Sequence, residues 1–142
     1  MIAYFDHMLK AHKGYGKHLD PICKQWGLTR NELDVLLFLH NNPGLDRAAD
    51  IVSRRGIAKS HVSLSVTALE ARGLLERRLD PEDRRTVHLH LTEAAIPIAE
   101  QGKAVQRAYF SRLFEGLSRE EVALWLSLVE KVCKNIDNLE EF

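Results

Sequence analysis

A mainly α fold with one small β-hairpin, a winged helix-turn-helix flanked by longer terminal helices, is what this 142-residue sequence predicts. Three observations predict it. From Ile57 to Thr92 the chain reads, without interruption, as a helix, a glycine stop, a strand, a charged turn and a second strand. Two short helical segments come just before, so three helices in succession lead into the hairpin. Apolar residues then recur at helical spacing through both ends of the chain, beyond what one face of a small module needs.

Each element has its own signal. Residues 1 to 24 space Ile2, Phe5, Leu9, His12 and Leu19 as a helix does, with Gly14 and Gly16 weakening the middle. Thr29-Arg30-Asn31-Glu32 fits a capping box, in which hydroxyl and carboxylate satisfy free backbone donors at a helix start. Leu33, Leu36, Leu37 and His40 follow in phase, and Asn41-Asn42-Pro43-Gly44 ends the helix because proline cannot continue it. A short helix is expected from about Asp46 to Arg54, and a longer one over 59–72. In the latter Val62, Val66 and Leu69 share the packing side, while Ser60, His61, Ser63, Leu64 and Thr67 lie around the rest of the circumference. Gly73 stops it. Leu74 to Leu79 forms a strand and Asp80-Pro81-Glu82-Asp83 a turn. Thr86 to Thr92 alternates, with Val87, Leu89 and Leu91 on one face and Thr86, His88, His90 and Thr92 on the other. From about Ile96 to Leu139 the chain is helical again. Ser118-Arg119-Glu120-Glu121 is a second capping box, followed by a stripe of Val122, Trp125, Leu126, Val129, Val132, Cys133, Ile136 and Leu139. Such a stripe wants a partner, supplied either by the first helix or by a second copy of the chain.

Composition narrows the function classes. With 45% hydrophobic residues the chain supports one core, and a single domain over 1–142 is expected. No run of about 18 apolar residues marks a membrane span, and the N-terminal segment lacks the features of a signal peptide, so a cytoplasmic protein is expected. Cys23 and Cys133 have neither disulfide-framework nor zinc spacing. Twenty basic residues balance twenty acidic ones, which argues against a purely electrostatic nucleic-acid binder. The distribution is uneven, however. Ser53 to His90 carries eight basic and five acidic residues, whereas Glu93 to Phe142 carries six and nine, so the positive charge sits with the winged segment. No nucleophile elbow, phosphate loop or metalloprotease motif occurs, so no enzyme, cofactor or metal is expected.

A hydroxyl-rich helix face with no acid before Glu70 suits a DNA major groove, where Lys59, Ser60, His61, Ser63, Leu64 and Thr67 are the candidate contacts. A solvated surface helix is the bland alternative, although such helices are richer in Glu and Lys. At the hairpin tip Asp83, Arg84 and Arg85 form a candidate wing, with an arginine in the adjacent minor groove and Asp83 holding its guanidinium. The alternative there is an ordinary charged turn. Arg54, Arg55 and Arg77 are candidate phosphate contacts. His88 and His90 share a strand face and are read as solvated or phosphate-facing rather than as a chelating pair, since no third ligand is near. Cys133 is expected in the core, and Cys23 is a redox sensor only if neighbours such as Lys24 acidify it. Tyr15, Trp26, His40 and Tyr109 line a ligand pocket or belong to the core.

The segments GLTRNELDVLLFLHNNPG, IAKSHVSLSVTALEARGLLERR and DPEDRRTVHLHLT, with Asp83 and Arg85 in a D-x-R pattern, resemble the MarR family of bacterial transcriptional regulators over nearly the whole chain. The resemblance implies a homodimer. Helices in 1–27 and 96–142 interlock across a two-fold axis, through Phe5, Leu9, Val122, Trp125, Leu126, Val129, Val132 and Ile136 here, while each 28–92 lobe faces one half-site of a pseudo-palindromic operator on double-stranded DNA. It also implies a response to small aromatic or phenolic molecules or to oxidants; a ligand-responsive repressor is expected, with a redox-sensing regulator based on Cys23 as an alternative. The rival expectation is a ligand- or protein-binding module that kept the fold without operator recognition. The sequence departs from the family pattern at three places. Ala95 stands where glycine is usual and Pro97 follows, so the long helix is expected to start late or bend there. Ala58 replaces the serine that caps the recognition helix, and the Ala48 to Gly56 segment is about one residue longer than usual.

Overall fold

The computed structural model describes residues 2–139, apart from the side chains of Ile2, Tyr4 and Phe5; the dimer contact expected of Phe5 lies outside the described residues. Six helices and one hairpin follow in the order α1 (Ile2–Trp26), α2 (Arg30–Asn41), α3 (Ala48–Arg55), α4 (Lys59–Ala71), β1 (Leu75–Leu79), β2 (Val87–Leu91), a 3-10 turn (Glu93–Ala95), α5 (Ile96–Leu113) and α6 (Arg119–Leu139). Two compact units divide the chain, one up to Arg107 and one from Ala108 on. Among the described residues no helix is long and apolar enough to cross a membrane.

The first unit is organised around α2, which buries Leu33 and Val35 through Phe38 on more than one face. Thr29 starts it as expected: its hydroxyl accepts from the Glu32 N–H at 3.2 Å while the Glu32 carboxylate accepts from the Thr29 N–H at 2.9 Å. Leu19 and Ile22 of α1, Ile51 of α3, Val62, Val66 and Leu69 of α4, Leu75 and Leu89 of the hairpin and Ile98 of α5 close one core around it. The helix α1 runs unbroken through Gly14, Gly16 and Pro21. Arg72, just past α4, donates to the carbonyls of Trp26 at 2.7 Å and Gly27 at 3.0 Å, so a cation meets the negative end of the α1 dipole.

Local chemistry sets the boundaries. The helix α3 begins at Ala48, two residues later than the sequence predicts, because Asp46 is engaged elsewhere: its carbonyl accepts the Leu89 N–H at 2.7 Å. It ends at Gly56, whose φ of 62° is the left-handed conformation that glycine takes without a Cβ clash. At the end of α4 the N–H of Gly73 bonds to Glu70 and that of Leu74 to Leu69, both at 2.9 Å, a Schellman closure that turns the chain into β1. The strands pair antiparallel from Leu75 opposite Leu91 to Leu79 opposite Val87. The bond from Leu89 to Asp46 serves the outer edge of β2, where a third strand would otherwise sit.

Pro97 occupies the first turn of α5, where its missing N–H has no helical acceptor to lose, so the 3-10 turn and the helix join without a break. Further along, a Cβ at Gly102 would run into the δ-methyls of buried Leu37, which is why α5 can approach α2 only with glycine there. A row of polar residues on α5 completes the contact. Trp26 donates to Gln101 at 3.0 Å, Gln106 donates to the Tyr15 hydroxyl at 2.7 Å and accepts from Asn41 at 2.8 Å, and His40 meets Glu100 at 2.9 Å.

The second unit holds the end of α5, a turn and α6. Ser118 and Glu121 form the second expected capping box, with bonds of 2.8 and 3.2 Å. The rings of Phe114 and Trp125 meet edge to face, centroids 5.1 Å apart. No residue of α6 is buried. Val122, Trp125 and Val129 are half-buried, while Leu126, Val132, Ile136 and also Cys133, expected in the core, are exposed.

Candidate nucleic-acid interface

The candidate interface consists of α4 and the hairpin that follows it. Val62, Ser65, Val66 and Leu69 turn inward, and Lys59, Ser60, His61, Ser63, Leu64 and Thr67 are all exposed. Leu64 has 69% of its surface open to solvent. The sequence-derived outer face is therefore the physical outer face. At its start Ala58 offers no side-chain cap, which leaves the first backbone donors of α4 directed outward.

Glu70 is the one acidic residue of α4, and Arg77 from β1 neutralises it. The Arg77 guanidinium pairs with the Glu70 carboxylate and donates to the Thr67 hydroxyl at 3.1 Å. Two candidates, Arg77 and Thr67, are thus brought together and partly occupied with each other. Sequence reasoning missed these contacts because Arg77 lies on a different element from its partners, seven positions from Glu70 and ten from Thr67, outside any helical pairing rule.

At the tip, Asp80 accepts from the N–H groups of Glu82 at 2.8 Å and Asp83 at 2.9 Å, an Asx turn. Asp83 was expected to hold an arginine side chain. Instead one of its oxygens accepts the backbone N–H of Arg85 at 3.0 Å and the other the Thr86 hydroxyl at 3.0 Å. Its role is to shape the loop, because the tight turn brings those two donors nearer than any guanidinium. Arg84 and Arg85 are exposed, and neither makes an ion pair among the described residues.

His88 departs from expectation too. Rather than facing solvent or phosphate, its ring sits between Asp46, at 2.7 Å, and Asp80, at 3.0 Å. No group of three His, Cys, Asp or Glu residues able to hold a metal occurs among the described residues.

Arg54 and Arg55 are exposed at the end of α3, and the Arg55 guanidinium lies 5.7 Å from the centre of the Phe38 ring. Both line a cavity of about 520 Å³ together with Lys13, Tyr15, Arg30 and Asp34. Arg30 is fixed there by bonds of 3.0 Å to Asp34 and to the Gly16 carbonyl, 5.5 Å above the Tyr15 ring. Of the four residues read as pocket or core, Tyr15 lines this cavity and His40 a different one of about 340 Å³. Trp26 spends its N–H on Gln101, and Tyr109 lies in the second unit with its ring 6.3 Å from that of Phe110. Leu9, a candidate dimer contact, is exposed. Cys23 is not acidified: burial pushes its thiol above the ordinary value, against the opposing pull of Arg30, so the reactive thiolate is disfavoured.

Residues 26–86, which span α2 to the hairpin turn, match the model of the MarR family. Over that segment the chain is similar to the MarR family. Over a longer stretch of 122 residues it is 29% identical to YkoM, an uncharacterised HTH-type transcriptional regulator of Bacillus subtilis strain 168, covering 86% of this chain and 79% of that one. Its fold is similar to that of a MarR-family regulator of Listeria monocytogenes, solved with a 26mer DNA, at a TM-score of 0.82 and 16% identity over 94% of this chain and 89% of the other. It is also similar to BpsR of Bordetella bronchiseptica, whose DNA binding is regulated by 6-hydroxynicotinic acid, at a TM-score of 0.67 and 25% identity over 92% and 98% of the two chains. These MarR-family likenesses extend along α1 to α6, and the winged helix predicted from the sequence is the fold they share.

Proposed function

We propose that this chain is a MarR-family regulator, a homodimeric, sequence-specific binder of double-stranded DNA that represses transcription at a pseudo-palindromic operator. One observation carries this: α4 has an exposed, hydroxyl-rich face whose sole acid is neutralised by Arg77 of the hairpin, and the tip of that hairpin carries two exposed arginines without an ion pair among the described residues. Ser60, His61, Ser63 and Leu64 reach base edges in the major groove, Lys59 and Thr67 flank them, and Arg85 enters the neighbouring minor groove beside Arg84. Arg54, Arg55 and the free edge of Arg77 contact phosphates, and Asp83 acts by holding the loop. The regions 1–27 and 96–142 join two copies, with 28–92 as the lobe on the duplex. A DNA complex of a relative with the same fold supports this use of it.

The test is selection of duplexes from a random library, followed by anisotropy titration of a recovered duplex at several salt concentrations. A steep fall of affinity with salt, from counterion release, and a recovered inverted repeat are expected. Recovery of no common sequence would leave the rival, a module that lost operator recognition. In the same titration, Arg85→Ala is expected to weaken binding to all duplexes by about 1–3 kcal/mol; an unchanged affinity takes the wing out of the mechanism.

The effector is proposed to be an aromatic carboxylate held in the cavity beside Tyr15. Lys13, Arg30, Arg54 and Arg55 outnumber Asp34 there, and the Arg30 guanidinium is held over the Tyr15 ring. Binding at that place would draw Arg54 and Arg55 away from phosphates. Adding 6-hydroxynicotinic acid, the compound that regulates BpsR, is expected to weaken duplex binding by the wild-type protein and not by Tyr15→Ala. Equal response, or none, removes the cavity from the proposal.

A further inference from the structure

A charged cluster at the base of the hairpin tip ties three parts of the first unit together. Nδ1 of His88 lies 2.7 Å from a carboxylate oxygen of Asp46, in the connection between α2 and α3, and Nε2 lies 3.0 Å from one of Asp80, where the tip begins. Carboxylate oxygens only accept, and a neutral imidazole has a single N–H. Both contacts are hydrogen bonds only when both ring nitrogens carry protons, so the geometry selects the imidazolium.

Each carboxylate has a second duty. The other oxygen of Asp80 accepts the N–H groups of Glu82 and Asp83 that shape the tip, and Asp83 in turn holds the N–H of Arg85. The carbonyl of Asp46 accepts the N–H of Leu89 at 2.7 Å. A continuous chain of bonds therefore leads from the connection between α2 and α3, through one histidine, to the backbone that carries Arg84 and Arg85. We propose that His88 is a positioning residue: its imidazolium locks the hairpin tip to the helices so that Arg84 and Arg85 are presented to the duplex, and loss of the ring proton opens the lock. The presentation half rests on the DNA-binding function proposed above.

The groups around the ring agree. Asp46 and Asp80 face its two nitrogens, and Arg78, opposite it on β1, is paired with Glu76 at 2.9 Å. Arg47 is turned to Asp50, at 3.5 Å, and His90 stands next along the same strand face. The two carboxylates, Asp46 first, raise the affinity of His88 for its proton above that of an ordinary histidine. His88 in turn, with the N–H groups of Asp83 and Glu82, lowers Asp80 to about 2. The sign follows: the lock is complete below the ordinary histidine value and is lost as pH rises through the elevated one, whereas Asp80 lets go only in strong acid, near about pH 2. Opening therefore belongs to the neutral-to-alkaline side.

Two measurements test this. On the free protein, ring nitrogen shifts by NMR report the His88 protonation state, and backbone relaxation reports the order of the amides from Glu82 to Arg85. On the complex, anisotropy with a duplex recovered by selection is followed against pH for wild type, His88→Gln and Asp46→Asn. Other histidines, His61 on α4 among them, are common to all three, so only differences between profiles read His88. Wild-type affinity is expected to fall roughly tenfold more than that of His88→Gln between about pH 6 and about pH 9. In Asp46→Asn the amide oxygen still accepts but carries no charge, and the midpoint moves to lower pH. A neutral His88 ring in the wild type near about pH 6, or coincident profiles for wild type and His88→Gln, overturns the proposal. A wild-type protein that binds no duplex at any pH removes DNA binding and presentation alike, and is told apart because the ring and tip measurements need no DNA.

Discussion

Leu126→Asp, alone or combined with Val129→Asp, is expected to yield folded monomers and to cut duplex affinity by about 100- to 10,000-fold, the usual loss when two linked binding events become one. The ground is the state of α6. None of its residues is buried within the chain, and Leu126, Val132 and Ile136 each leave more than half of their surface in water. A stripe of this size is stabilised only by covering it, at about 1.5–3 kcal/mol for each large apolar side chain removed from water. An aspartate at its centre would have to shed its hydration against an apolar neighbour, which costs more than the lost contact. Because Leu126 is exposed in the single chain, the substitution leaves the first unit and its far-UV circular dichroism unchanged. Sedimentation velocity checks the outcome: an intact dimer moves the subunit interface off this stripe.

Leu64→Glu is expected to reduce affinity for every duplex by at least about 100-fold, roughly 3 kcal/mol, without changing stability. Leu64 is the most exposed large apolar residue described, at 69%, so its own folding contribution is small. A carboxylate at that position would stand among Ser60, His61, Ser63 and Thr67, on a face whose only native acid is neutralised by Arg77. Brought against phosphates it repels; in water it does nothing. Unaltered binding, with an unaltered denaturation midpoint, would show that α4 does not face the duplex. The pair of variants separates two causes of lost binding, since Leu126→Asp acts through assembly and Leu64→Glu through the contact itself.

Particular residues show what was legible beforehand. Both capping boxes, at Thr29 and Ser118, formed as read, because they bring together groups three residues apart and need nothing from the rest of the chain. The outer face of α4 was legible for a similar reason, since one turn of a helix fixes which residues point together. His88 was not. Its partners lie 42 and 8 positions away, on the α2–α3 connection and at the tip, and nothing in VHLHL distinguishes a clamped histidine from a solvated one. The same holds for Arg77, bound to Glu70 across two elements, and for Gly102, whose lack of a side chain acquires a purpose only where α5 meets Leu37. Asp83 lies between the two cases: its place at the tip was legible, but whether it served a side chain or the backbone depended on the curvature of the turn.

Periodicity, caps and stop residues, all short-range, by themselves determined the succession of helices, the hairpin, the faces of α4 and the orphan stripe of α6. Which charges neutralise one another, which carbonyl replaces a third strand and how the tip is tethered were decided only by the tertiary structure. Hydrogen bonds and ion pairs act over a few ångströms of space, and the number of residues between two partners does not reveal that distance until the chain has folded.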